Sequence, residues 1–119
     1  MIDYGVPKPE EEIEVVPMEE MFAAYCRMDP VSYAKGVKLI PLSQSDKWLI
    51  SARLLDMHTL TTTETGTHFF KFKKRALSYT EYLEYLEDLA KAKNLDLNNM
   101  MYHMQRSGKP IHPRDIKKN

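Results

Sequence analysis

Ser78-Tyr79-Thr80-Glu81-Tyr82-Leu83-Glu84-Tyr85-Leu86-Glu87-Asp88-Leu89-Ala90 is the stretch on which the fold turns. Ser78 and Glu81 have the S-x-x-E spacing of a capping box, in which the hydroxyl accepts from the backbone N–H three residues on and the carboxylate reaches back. Tyr79, Tyr82, Leu83, Leu86, Leu89 and Ala90 then recur at intervals of three and four, the period of a helix with one apolar face. The spacing predicts a helix over 79–92. Its carboxylates Glu81, Glu84, Glu87 and Asp88 fall on or beside the opposite side, which reads as a solvated face.

Upstream, Ala76-Leu77 form a brief extended segment. Before them Thr61-x-x-Glu64 repeats the capping box and predicts a helix over 62–72 with Thr65, Phe69 and Phe72 inward, although Gly66 and the neighbouring threonines are poor helix formers. Lys71, Lys73, Lys74 and Arg75 crowd the end of that helix, where the macrodipole favours cations.

The same order appears nearer the N-terminus. Met18, Met21, Phe22 and Tyr25 predict a helix over 18–27. Pro17 suits its opening, and Asp29-Pro30 closes it because the residue before a proline is pushed out of the helical region. A loop containing Gly36 follows from Val31 to Pro41 and ends in a short strand, Val37-Lys38-Leu39-Ile40. Ser43, with Asp46 three residues on, offers the cap of a helix over 44–55 that carries Trp48, Leu49, Ala52 and Leu55 on one face. Beyond residue 92, Asp96 caps a last helix with Leu97, Met100, Met101 and Met104, residues suited equally to core packing or to an adaptable interface. Gly108 and Pro110 stop it.

Helix, loop, short strand and helix, given twice, is the outline of paired EF-hands. A calcium loop reads D-x-[DN]-x-[DN]-G-x₅-E. The first loop, from Asp29 to Ile40, has one carboxylate. The second, from Lys71 to Leu77, has none and carries four cations. The expected fold is therefore mainly α: an EF-hand-like helical domain of paired helix-loop-helix units with a short two-stranded ribbon and no calcium loops.

The chain has 119 residues, one domain's worth, with 43% hydrophobic and 29% charged residues, proportions of a globular chain. Seventeen bases balance seventeen acids, which argues against a uniformly basic nucleic-acid binder. Cys26 is the single cysteine, so an internal disulfide and a multi-cysteine zinc finger are excluded. No apolar run approaches the ~18 residues of a membrane span, and the acidic opening Met1-Ile2-Asp3-Tyr4-Gly5 is unlike a secretory signal. A soluble intracellular protein is the expectation. The charge is unevenly spread. Residues 1–20 hold seven acids and one base, and residues 106–119 hold five bases and one acid. The expected organisation is an acidic extended N-terminal segment over 1–17, a helical domain over 18–105 and a basic flexible tail over 106–119.

Catalytic chemistry is not indicated. Cys26 reads as a small buried hydrophobe, and no Gly-rich phosphate loop or G-x-S-x-G motif occurs. Of His58, His68, His103 and His112, only His68 has an acid at helical spacing, Glu64. That pair is weak as a zinc site and reads as a surface contact. No enzyme activity, catalytic residue, metal or cofactor is expected.

Three runs are together more specific than any alone. They are Ser45-Asp46-Lys47-Trp48-Leu49 leading to Leu54-Leu55-Asp56, Leu60-Thr61-Thr62-Thr63-Glu64-Thr65-Gly66 before Phe69 and Phe72, and the helix that begins at Ser78. In this order, with Phe22 ahead of them, they resemble the tubulin polymerisation promoting protein (TPPP) family over about residues 18–93. The chain looks like a short, divergent member: longer members carry a Gly- and Lys-rich C-terminal segment, whereas residues 94–119 here hold one glycine, Gly108. Zinc binding is described for some members, but no cluster here matches such a site.

The resemblance implies a protein of the cytoplasm and cytoskeleton, also found in the cilium or flagellum, that binds tubulin and promotes microtubule assembly, bundling or stabilisation. Tubulin is strongly acidic, so the expected contact set is Lys71, Lys73, Lys74 and Arg75, with Arg106, Lys109, Arg114, Lys117 and Lys118 as a second, mobile set. Nucleic acid and membrane are not expected partners. The alternative is an EF-hand-like adaptor without calcium that binds another protein of a cytoskeletal or ciliary assembly.

Overall fold

A computed structural model of the chain describes residues 13–115, and in it both capping boxes close. Ser78 Oγ accepts from the Glu81 N–H at 3.3 Å while Glu81 Oε1 accepts from the Ser78 N–H at 3.0 Å. Thr61 and Glu64 make the same exchange at 3.3 and 3.0 Å. Each box satisfies two backbone donors that a helix start leaves without partners. The helices they open are α4 (Thr62–Phe69) and α5 (Tyr79–Lys93), in a chain that runs α1 (Met18–Arg27), α2 (Pro30–Lys35), β1 (Ile40–Pro41), α3 (Leu42–Ser51), α4, β2 (Ala76–Leu77), α5 and α6 (Leu97–Met104). The fold is mainly helical, with β1 and β2 paired as a small antiparallel ribbon, Ile40 opposite Leu77 and Pro41 opposite Ala76.

The first half departs from expectation in four places. The loop expected over 31–41 contains α2. Asp29 Oδ2 caps it by accepting from the Ser32 N–H at 3.0 Å, Pro30 opens it, and Gly36 at φ 65° ends it. Pro30 does two jobs: it ends α1, and its fixed φ is already helical for the turn that follows. The expected strand over 37–40 shrinks to Ile40–Pro41 and leaves Val37 and Leu39 partly exposed. Ser43 is not the cap of α3; Pro41 holds that position with no side-chain hydrogen bond. The helix expected over 44–55 stops at Ser51 because Arg53 turns left-handed at φ 62°, and Leu55 reaches the core from the following loop. In the second half, the helix expected over 62–72 tightens after Phe69 into a single 3-10 turn, Phe70–Phe72.

The core is built around Trp48. Its indole stacks on Tyr25 of α1 (5.2 Å, 14° between planes) and on Tyr82 of α5 (5.6 Å, 12°). Such aromatic pairs contribute ~0.5–1.5 kcal/mol each beyond their buried area. The polar edges of these rings are paired too: Trp48 Nε1 donates to the Met104 carbonyl at 3.1 Å, and the Tyr82 hydroxyl lies 3.0 Å from Ser45 Oγ. Leu86, Leu89, Phe69 and Phe22 close around this column. Tyr85, outside the expected stripe, is fully buried as well, its ring edge-on to Phe69 at 5.2 Å. Contacts of α5 with both α4 and α6 explain the wider buried arc. Met100 and Met104 settle into the core, with Met101 partly buried beside them. On the far side, the Val16 N–H donates to the Gln105 carbonyl at 3.0 Å and ties the approach to α1 onto the end of α6.

Candidate functional site

The basic run starts where α4 tightens. Lys73 takes a left-handed conformation at φ 54°, its N–H bonded to the Phe70 carbonyl at 3.0 Å. That turn ends the 3-10 segment and carries Lys74 and Arg75 into β2. The four cations then divide. Lys71 Nζ lies 3.0 Å from Asp88 Oδ2, and Lys74 pairs with Glu81, both acids on α5. Lys73 and Arg75 have no ion-pair partner among the described residues. The expected contact set is thus half committed to the fold, and two of its members remain available.

The acids of α5 change their reading accordingly. Glu84 and Glu87 are exposed, as a solvated face requires. Glu81 and Asp88 are not simply solvated. Asp88 Oδ2 accepts from both His68 Nδ1 at 2.6 Å and Lys71, and these two contacts, His68 first, hold its carboxyl below the ordinary 3.8. Lys74 and then the Ser78 N–H hold Glu81 below 4.5. The surface pair expected between His68 and Glu64 does not form. Glu64 pairs with Lys93 instead, because its carboxylate turns back into the capping box at Thr61.

The second basic set begins beyond α6. The Arg106 guanidinium lies over the Tyr102 ring at 3.6 Å and donates to the Tyr102 carbonyl at 2.9 Å. Lys109 Nζ lies 2.9 Å from a Glu20 carboxylate oxygen on α1. His112 stacks on Tyr33 of α2 at 4.3 Å, and the Arg114 guanidinium stands 5.9 Å from the same ring. Residues 106–114 therefore cross α1 and arrive at α2. Lys117 and Lys118, like residues 1–12 of the acidic head, lie outside the described residues.

Helix α2 is the part of the surface that sequence reasoning missed. It receives the second basic set at Tyr33, and on its other side it borders a groove of about 330 Å³ shared with the ribbon. Val31, Val37 and Leu39 line the groove, exposed at 44%, 39% and 37%. Lys35 and Arg75 stand in its wall. The Asp29 carboxylate also borders it but is engaged as the cap of α2. The signal was present in Asp29-Pro30-x-Ser32 with Gly36, an Asp cap, a proline at the first position and a glycine after the last turn.

Cys26 is sequestered, and so is one carboxylate oxygen of Asp46. Burial, reinforced by Asp29, pushes the Cys26 thiol up to about 12, so at neutral pH it is neither a thiolate nor accessible. Burial likewise raises Asp46, whose Oδ1 has no partner. Among the described residues, no three of His, Cys, Asp and Glu converge as metal ligands.

A family model described as p25-alpha matches residues 19–117. No curated protein and no solved structure matches the chain.

Proposed function

The chain belongs to the p25-alpha family, the domain of the tubulin polymerisation promoting proteins, and from that membership we propose that it binds tubulin and promotes microtubule assembly, bundling or stabilisation. The observation that carries this reading is the extent of the family match, which runs from the second residue of α1 through all the later helices of the described residues and the crossing segment after α6. Surface charge supports it. Lys73 and Arg75 are exposed and face solvent without partners among the described residues, ready for the acidic surface of tubulin. Lys71 and Lys74 contribute less, since an ion pair with tubulin would first have to displace Asp88 or Glu81.

The protein works by binding, without catalysis, in the cytoplasm on the cytoskeleton, and in the cilium or flagellum. Each exposed ion pair is worth only ~0.2–1 kcal/mol and is screened by salt, so binding depends on several contacts together. Co-sedimentation with taxol-stabilised microtubules tests the proposal. Saturable pelleting that weakens with salt is expected. Its absence at every salt concentration would transfer the reading to an adaptor of another cytoskeletal or ciliary protein.

A further inference from the structure

We propose that the groove between α2 and the β1–β2 ribbon binds an extended acidic peptide segment that carries an aliphatic side chain beside its carboxylates. This deepens the microtubule reading by naming the contact surface and the chemistry of what fills it.

Complementarity chooses the occupant. Val31 from α2, with Val37 and Leu39 from the segment leading into β1, give the groove its apolar lining, each left about two-fifths exposed while Ile40 beside them is fully buried. Lys35 and Arg75 flank that lining. Both lack ion-pair partners among the described residues, and the bordering acid, Asp29, is already used as a helix cap. Lys74 also lies in the wall but turns to Glu81. A helix cap keeps its charge, so Lys35 and Arg75 outweigh Asp29 by one, and the groove is net positive beside its apolar residues. A Glu-rich segment satisfies the cations, and a Leu, Val or Ile within it covers the apolar lining. A nucleic-acid strand would satisfy the cations alone, since the lining offers no aromatic ring for base stacking. The volume, about 330 Å³, suits a side chain with its flanking backbone.

Charge alone would make any polyanion bind equally, so the test separates charge from shape. Two fluorescein-labelled peptides are titrated into the full chain at physiological salt: a Glu-rich peptide with one central Leu, and the same peptide with Glu in place of that Leu. The Leu peptide is expected to bind about tenfold more tightly, the effect of burying roughly half of one leucine side chain. Leu39→Ala and Val37→Ala should each shrink this preference while leaving affinity for the all-Glu peptide unchanged. Leu39→Ile should keep it. Arg75→Glu should weaken both peptides. Circular dichroism confirms that each variant is folded.

Equal affinity for the two peptides, or a preference untouched by Leu39→Ala, overturns the groove. The outcome for tubulin is read separately. Pelleting by the wild type that the groove variants share unchanged removes the groove and leaves the microtubule reading standing. A groove-dependent peptide preference without any pelleting keeps the groove and removes the tubulin reading.

Discussion

Trp48 Nε1 donates to the carbonyl oxygen of Met104 at 3.1 Å, a contact that spans 56 residues of chain. The bond fastens α3 to the end of α6, and the same indole stacks on rings from α1 and α5. Four helices therefore share one side chain as their common neighbour.

That arrangement sets the sensitivity of the core. Leu86, fully buried on α5, should lose ~2–5 kcal/mol when replaced by Ala. Trp48→Phe should lose ~1–3 kcal/mol through the space left in the aromatic column and the lost indole hydrogen bond, while the Met104 carbonyl keeps the Ser107 hydroxyl as a donor. Urea denaturation followed by circular dichroism measures both. A Leu86→Ala midpoint equal to the wild type would mean that α5 packs through a different face.

Calcium should leave the protein unchanged. The first loop is occupied by α2, with its one carboxylate already accepting from Ser32, and the second is crowded by cations. A millimolar calcium titration monitored by Trp48 fluorescence should be flat. A saturable change at micromolar calcium would contradict the loop assignment.

Charge reversal should act unevenly along the basic run. Lys73→Glu together with Arg75→Glu should abolish microtubule pelleting without loss of helical signal, because neither side chain takes part in an ion pair among the described residues. Lys71→Ala and Lys74→Ala should have little effect on pelleting. Deletion of residues 1–12 should leave binding unchanged or strengthen it by removing acids that compete for the same cations. Equal losses from all four cations would show that the ion pairs to α5 open on binding.

Stability should fall at both ends of the pH scale, for opposite reasons. Asp88, Glu81 and Glu64 titrate below their ordinary 3.8, 4.5 and 4.5. Their contribution is complete above those values and disappears as pH falls below them. Cys26 is raised from 9.0 to about 12, so its contribution is complete below pH 9 and is lost as pH rises through about 12. Melting temperatures across acid and alkaline series measure both limbs. Cys26→Ala should flatten part of the alkaline one, and a wild-type thiol that reacts with Ellman's reagent at neutral pH before unfolding would contradict its burial.

The parts of the fold legible from sequence were those whose signals are local. A capping box closes within four residues, so Ser78 with Glu81 and Thr61 with Glu64 announce α5 and α4, and the apolar stripe after Ser78 announces the buried face. Ala76-Leu77 could be read as extended because it fills the gap between two such helices. The missed α2 and the misplaced cap of α3 share another cause. Pro30 and Pro41 act on both sides at once, ending one element and beginning the next, and the sequence was read for the ending alone. The division of the basic run was beyond any linear reading. Lys71 meets Asp88 across 17 residues and Lys74 meets Glu81 across seven, so which cations remain available is decided by how α4 lies against α5. The groove was hidden for the same reason, since Val31, Leu39 and Arg75 become neighbours only when the ribbon pairs.

The bond from Val16 to Gln105 has a temporal meaning. It joins the residue two places before α1 to the residue just after α6, and Trp48 likewise waits for Met104. A chain emerging from the ribosome can form α1 and α3 and bring Tyr25 against Trp48 before the carbonyls of Met104 and Gln105 exist to accept from Trp48 and Val16. Those two hydrogen bonds can therefore form only after α6 has been made, although the indole already has Tyr25 and Tyr82 against it.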